Sequence, residues 1–172
     1  MASNVAMTTG TRPTRPARWT AAAVAAVALA GCGVTVPTDP DGTLTAVRGG
    51  ELRVGVSPHE PWTVVGPDGV PAGLEIDLVE GFAQTLDADV VWSTGGEEEL
   101  VDDLERGELD LVVGGFSASS PWTSKAAVTV AYTTVTDADG KPEGHVMLTP
   151  MGENAFLVEL ERFLLDQEVS AP

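Results

Sequence analysis

Between Gly107 and Tyr132 the sequence runs GELDLVVGGFSASSPWTSKAAVTVAY, and this stretch narrows the fold to a layered α/β arrangement. Leu109 to Val113 is apolar apart from Asp110 and is bounded by Gly107 and by the Gly114-Gly115 pair, the pattern of a central parallel strand covered on both faces. The glycines permit a sharp turn or a close backbone approach, and Ser117, Ser119 and Ser120 supply hydroxyls. Ser120-Pro121 reads as an N-cap followed by proline at the first helical position. A strand is therefore predicted to end facing the start of a helix. Ligands in open α/β sheets bind at such places, outside the carboxyl ends of the strands. A plain polar connection from strand to helix is the alternative reading.

The flanking segments extend the alternation. Leu52, Val54 and Val56 alternate with Arg53 and Gly55 and predict a first strand that ends at Ser57-Pro58-His59-Glu60-Pro61-Trp62. Trp62 to Val65 and Val70 flank a Gly66-Pro67-Asp68-Gly69 turn and predict a small hairpin. Leu78, Val79, Phe82, Ala83 and Leu86 recur at helical spacing, which predicts an amphipathic helix over 75–87, with Glu75 and Asp77 as acids at its start. A strand is expected at 90–92 and a second helix over 97–106, its Glu97-Glu98-Glu99 run placed where the helix dipole favours acids. Val128 to Thr136 reads as one strand, Asp137 to Gly140 as a turn and His145 to Leu148 as a returning strand, in which His145 reads as structural. Asn154 is expected to cap a last helix with Phe156, Leu157, Leu160, Phe163 and Leu164 inward. Strands and helices alternating in this way give a mostly parallel sheet between helices.

The beginning of the chain reads as an address. Arg12, Arg15 and Arg18 form a basic region, Thr20 to Leu29 is a short apolar run, and Leu29-Ala30-Gly31-Cys32 closes it with small residues before the only cysteine. The run is too short for a spanning helix, which needs about 20 residues. Leu-Ala-Gly-Cys resembles the lipobox of bacterial lipoproteins, which implies cleavage before Cys32, lipidation of its sulfur and a membrane-tethered protein outside the cytoplasm. An ordinary secretory signal with an incidental cysteine is the plainer reading. Loss of residues 1–31 would leave 26 acidic against 6 basic side chains, a formal charge of −20. That balance argues against nucleic-acid partners and against docking on anionic lipid, and suits cationic ligands or simple solubility. The expected division is a signal peptide over 1–31, a lipid-anchored flexible spacer over 32–50, one domain over 51–168 and a tail over 169–172.

Read together, ELRVGVSPHEPW, PDGVPAGLEIDLVEGFAQTLDADVVW and ELVDDLERGELDLVVGGFSAS, with a tyrosine closing a strand at Tyr132, resemble the first lobe of the family 3 extracellular solute-binding proteins. The run Gly73, Glu75, Ile76, Asp77, Leu78 is the most specific piece. These proteins are substrate-binding components of polar amino-acid ABC importers. The resemblance implies a single three-layer α/β lobe of a type II periplasmic binding protein, mostly parallel with one antiparallel return strand. It also implies that the second lobe is missing, because only Thr133 to Gly144 separates the outgoing strand from the returning one.

Matched position by position, Glu60 and Glu97 stand where the family's amino-acid binders carry aromatics, Trp122 stands where an arginine clamps the ligand carboxylate, and Ser117 keeps the hydroxyl. With Ser57, Trp62 and Gly115, these residues form the expected ligand-binding set. Loss of the arginine weakens α-carboxylate capture, and two acids in its place suit a cation. A metal held by His59, Glu60 and Glu97 is a lesser alternative, and neither a metal nor a cofactor is expected. The leading function is binding of a small polar or cationic solute by a lipid-tethered lobe, with an ABC permease or a second copy of the chain as protein partners. The alternative is an interaction or dimerising module that no longer binds a solute, favoured if Phe116, Trp122 and Tyr132 form an exposed apolar surface. No GxSxG elbow, Walker loop, HExxH or Cys–His pair is present, so no enzymatic activity is expected.

Overall fold

The computed structural model describes residues 38–137 and 139–169. Five strands form the main sheet: β1 (Glu51–Val56), β4 (Asp89–Thr94), β5 (Leu111–Val113), β6 (Ala127–Val128) and β9 (Leu148–Thr149), in the order β4-β1-β5-β9-β6. β1 pairs in parallel with β4 and β5, with Val54 opposite both Trp92 and Leu111. β9 is the single antiparallel return strand, set between β5 and β6 through Val112↔Leu148 and Val128↔Leu148. Two hairpins stand outside this sheet, β2 (Val64–Val65) with β3 (Pro71–Ala72) and β7 (Thr133–Thr136) with β8 (Pro142–His145).

The pleat divides the core into two apolar layers. Leu52, Val54, Val56, Leu111 and Val113 face α1 (Thr43–Val47), α2 (Leu74–Thr85) and α4 (Asn154–Leu165), where Phe82, Phe156 and Leu160 are fully buried. Val112 and Leu148 face α3 (Glu97–Glu105) through Leu100, Val101 and Leu104. Gly55 lies on this second face, where a Cβ would come within 2.8 Å of Leu109 Cδ1 and 3.0 Å of Leu100 Cδ2, so its absence lets α3 approach the sheet. Asp110, the one polar residue of the central run, accepts the Arg53 guanidinium through both oxygens, at 2.9 and 2.5 Å. The result is the three-layer, mostly parallel lobe that the sequence predicts. No helix among the described residues is long and apolar enough to cross a membrane.

Five expectations need correction. Residues 38–50 are not a free spacer: Asp41 and Thr43 each donate a backbone N–H to the buried Glu153 carboxylate at 3.0 Å, and Val47 is buried. Asn154 is the first helical residue rather than the cap, and Glu153 at the cap position turns its side chain to the start of α1 instead of to α4. The expected strand over 128–136 is two strands, because β6 stays in the main sheet while β7 leaves it to pair with β8. Tyr132 therefore precedes β7 rather than closing a strand, and the returning segment divides likewise into β8 and β9. The expected signal segment, Cys32 and the rest of 1–37 lie outside the described residues.

Candidate functional site: a cleft at the end of the central strand

β5 ends at Val113 and the chain turns through Gly114 and Gly115, the latter at φ +65°. A Cβ at Gly115 would lie 2.7 Å from Trp62 Cδ1 and 3.1 Å from the His59 ring, so the turn needs glycine for both its backbone angle and its contact. The turn is fastened from below by Glu75, which is fully buried at the first turn of α2. Its Oε2 accepts the Gly115 N–H at 2.9 Å and its Oε1 accepts the Tyr132 hydroxyl at 2.6 Å. Burial pushes the Glu75 carboxyl above the usual range, and the Tyr132 and Gly115 hydrogen bonds oppose that rise without cancelling it. Burial beside this acid also pushes the Tyr132 phenol up, so it stays a donor.

Beyond the turn a 3₁₀ helix (Pro121–Ser124) begins as expected, with Ser120 Oγ accepting the Trp122 N–H at 3.4 Å. Trp122 Nε1 donates to Glu97 Oε2 at 2.8 Å, and Lys125 Nζ donates to Asp102 at 2.6 Å. These two contacts hold the segment against α3 and leave the other Glu97 oxygen free of described partners. On the opposite side β8 zips onto the turn. Ala118 N–H donates to the Gly144 carbonyl and Val146 N–H to the Phe116 carbonyl, both at 2.9 Å, with Ser117 bridged to His145.

These elements enclose a cleft of about 270 Å³ lined by His59, Glu97, Gly115, Phe116, Ser117, Ser120, Pro121, Glu143 and His145. None of the lining residues is lysine or arginine. His145 is 5% exposed, its ring stacks on Trp62 at a centroid distance of 3.9 Å, and its Nδ1 has no hydrogen-bond partner among the described residues. Burial holds its imidazole below the usual histidine range, against the opposing pull of the Glu143 charge. No group of three His, Cys, Asp or Glu side chains among the described residues is placed to hold a metal ion.

The structure gathers part of the expected ligand-binding set. Glu97, Gly115 and Ser117 line the cleft, and Trp122 sits behind Glu97 as its hydrogen-bond donor. Trp62 is 6% exposed and lies beneath the turn, in edge contact with Tyr132 at 6.2 Å, so it backs the cleft instead of lining it. Ser57 is buried too, its N–H donating to the Val113 carbonyl at 2.9 Å and its own carbonyl taken by Thr63 Oγ1 at 2.6 Å. Glu60 is exposed and outside the lining, because the turn from His59 to Thr63 carries it past the cleft mouth.

Three residues have a larger part than their sequence positions suggest. Glu75 serves the turn and the hairpin rather than the helix start, and its burial is the reason: a solvent-facing helix-start acid would have no need of the tyrosine. Glu143 and His145 both line the cleft, although the sequence marks His145 as structural and Glu143 not at all. Their spacing of two in a strand places both on one face, a signal that the sequence contains. Phe116 and Tyr132 are buried and Trp122 is half-buried, so they do not form the exposed apolar surface that would favour an interaction module.

The model of the family described as bacterial extracellular solute-binding proteins, family 3, matches residues 52–162. No curated protein matches the sequence. Among solved structures, the arginine-bound form of domain 1 from TmArgBP, the ArgBP of T. maritima, is similar at TM-score 0.61 and 19% identity, covering 68% of this chain and 93% of that one. An arginine-specific periplasmic binding protein of Salmonella typhimurium is similar at TM-score 0.58 and 11% identity, covering 66% and 91%. The ancestral amino-acid-binding protein AncCDT-1, a precursor of cyclohexadienyl dehydratase, is similar at TM-score 0.62 and 14% identity, covering 72% and 92%. At these identities the structural likeness speaks for the fold, and the family match covers most of the chain. With a single α/β lobe and a cleft at the end of its central strand, the chain belongs to the bacterial extracellular solute-binding proteins, family 3.

Proposed function

We propose that the protein is an extracytoplasmic solute-binding lobe, tethered to the membrane through lipid on Cys32, that takes a small cationic solute in the cleft beside Gly115 and works with an ABC permease. The observation that carries the ligand class is the charge of the cleft: Glu97 and Glu143 line it and no lysine or arginine does. Lys125, just past the 3₁₀ helix, is engaged by Asp102, and Lys141 on the hairpin is exposed and outside the lining. A free carboxylate is a poor ligand for such a wall, since nothing there repays its desolvation. An ammonium or guanidinium instead meets the open oxygen of Glu97, held in place by Trp122. Family membership supports the extracytoplasmic location, the Leu-Ala-Gly-Cys motif supports the tether, and the arginine-bound and arginine-specific neighbours agree with a basic solute. Binding rather than turnover is the reading adopted, although one neighbour is a dehydratase precursor.

A cleft of about 270 Å³ lies just below the roughly 300–1,000 Å³ of drug-sized pockets, which fits a solute the size of an amino acid. With a single lobe the solute stays partly exposed, so the affinity should be modest. The test is thermal unfolding of the full chain against L-arginine, L-lysine and L-glutamate, because a ligand of the folded state raises the midpoint. Midpoint shifts with the basic amino acids and none with glutamate are expected. Flat curves with all three from a cooperatively unfolding sample would exclude the reading.

A further inference from the structure

Residues 38–47 dock on the start of α4 through contacts that a simple connection would not need. The Thr38 carbonyl accepts the Ala155 N–H at 3.0 Å, and Glu153 accepts the Asp41 and Thr43 N–H groups. Asp39 brings a second carboxyl to the same place. Its Oδ2 accepts the Leu44 N–H at 2.9 Å, and its side chain is hydrogen-bonded to that of Glu153. Two carboxyls make such a bond only with a proton between them, because an ionised carboxylate has nothing to donate. The other Asp39 oxygen, Oδ1, is buried and meets no donor among the described residues, so an ionised Asp39 is poorly satisfied.

The neighbouring charges do not relieve the pair. Across a small cavity of about 160 Å³, lined by Asp41, Glu153, Arg53 and Asp110 among others, the Arg53 guanidinium is taken by both Asp110 oxygens. Arg48, just after α1, pairs with Glu159 on α4, and Asp41 adds only a further negative charge. Burial, and then the bond to Glu153, hold the Asp39 carboxyl above its usual range. Burial pushes Glu153 the same way, but the Asp41 and Thr43 N–H groups together with Asp39 outweigh it and hold that carboxyl below its usual range. The Asp39 contribution is therefore complete below the ordinary 3.8 and is lost as pH rises through its raised folded value. The Glu153 contribution is complete above the ordinary 4.5 and is lost as pH falls through its lowered one.

We propose that residues 38–47 are a pH-sensitive strap, fastened to the lobe by one proton shared between Asp39 and Glu153, closed in mild acid and loosened as pH rises. Once that proton leaves, two like charges face each other beside a buried oxygen that has no donor. The strap lies on the stretch that joins Cys32 to the lobe, so its opening lengthens that connection by up to about 3.5 Å per freed residue. The strap stands on its own contacts. Only its consequence, a longer reach from the membrane at higher pH, rests on the proposed lipid at Cys32.

The experiment is hydrogen exchange of the full chain in mild detergent from pH 4.5 to about pH 8, with each amide rate corrected for its intrinsic pH dependence. Protection of the Thr43, Leu44 and Ala46 amides should fall by about threefold or more across this range, beyond any change in β1. Asp39→Asn carries a permanent N–H donor toward Glu153 and keeps an acceptor for Leu44, so its strap should stay protected at the upper end and lose the pH dependence. Asp41→Asn, which changes a charge beside the pair and not in it, should retain the wild-type profile. Protection that is flat with pH in the wild type would overturn the proposal. So would a fall that Asp39→Asn reproduces, or one that β1 shares in full, since the latter reports opening of the whole lobe. None of these outcomes depends on lipid at Cys32, so failure of the strap and failure of the tether are read apart.

Discussion

The Tyr132 hydroxyl donates to Glu75 Oε1 at 2.6 Å in the buried interior, and the other oxygen of the same carboxylate receives the Gly115 N–H. One side chain at the start of α2 therefore ties the base of the β7–β8 hairpin to the turn that floors the cleft. Tyr132→Phe keeps the ring against Trp62 and removes only the donor. It should cost about 1–3 kcal/mol, the range for leaving a buried polar group short of a partner. Urea unfolding should show a lower midpoint with an unchanged slope.

Glu75 should also write itself into the pH dependence of stability. Its folded carboxyl is raised above the ordinary 4.5, chiefly by burial, so the folded state holds the proton where the unfolded state has released it. Its favourable contribution is complete below about pH 4.5 and is lost as pH rises through the folded value. Glu75→Gln should flatten the fall in unfolding free energy above pH 4.5, while losing part of the bond pair because an amide has only one acceptor oxygen. A slope unchanged by the substitution would count against this assignment.

Gly115→Ala would put a methyl within 2.7 Å of Trp62 at a backbone angle of φ +65°. Strain and displacement together should cost about 1–3 kcal/mol. Because Trp62 stacks on His145, tryptophan emission and solute affinity should change together; a silent substitution would mean that the turn is not built against Trp62.

Glu153→Ala removes the acceptor for the Asp41 and Thr43 N–H groups at the start of α1. Loss of such a cap costs about 0.5–2 kcal/mol. Hydrogen exchange should speed selectively in Thr43–Val47 and leave β1 and β5 protected.

The layered architecture was legible because its signals are local. Alternation in Leu52–Val56, the apolar run at Leu111–Val113 and helical spacing from Leu78 to Leu86 each follow from one face of one element. Where the reading failed, the deciding contacts lie far apart in sequence. Asp41 and Thr43 read as part of a spacer because their acceptor, Glu153, is more than a hundred residues away. Glu75 looked like a helix-start acid for the same reason, with its partners at Gly115 and Tyr132. In the site, Glu97, Gly115 and Ser117 line the cleft, and the sequence signals them only by their position at the ends of strands and helices. Glu60 was misplaced because the direction of the His59–Thr63 turn depends on a bridge that composition does not reveal. The two-residue spacing of Glu143 and His145 puts them on one face of a strand, and the β7–β8 pairing sets which face that is.

The most direct test of the cationic-solute account is the calorimetric affinity of the full chain for L-arginine, compared with Glu97→Gln and with L-glutamate as the opposite charge. The account predicts saturable arginine binding, a loss of about tenfold or more in Glu97→Gln, in line with about 1.5–3 kcal/mol for a charge-assisted hydrogen bond, and no heat with glutamate. Glutamate binding as tightly as arginine, or arginine binding indifferent to Glu97, would contradict it.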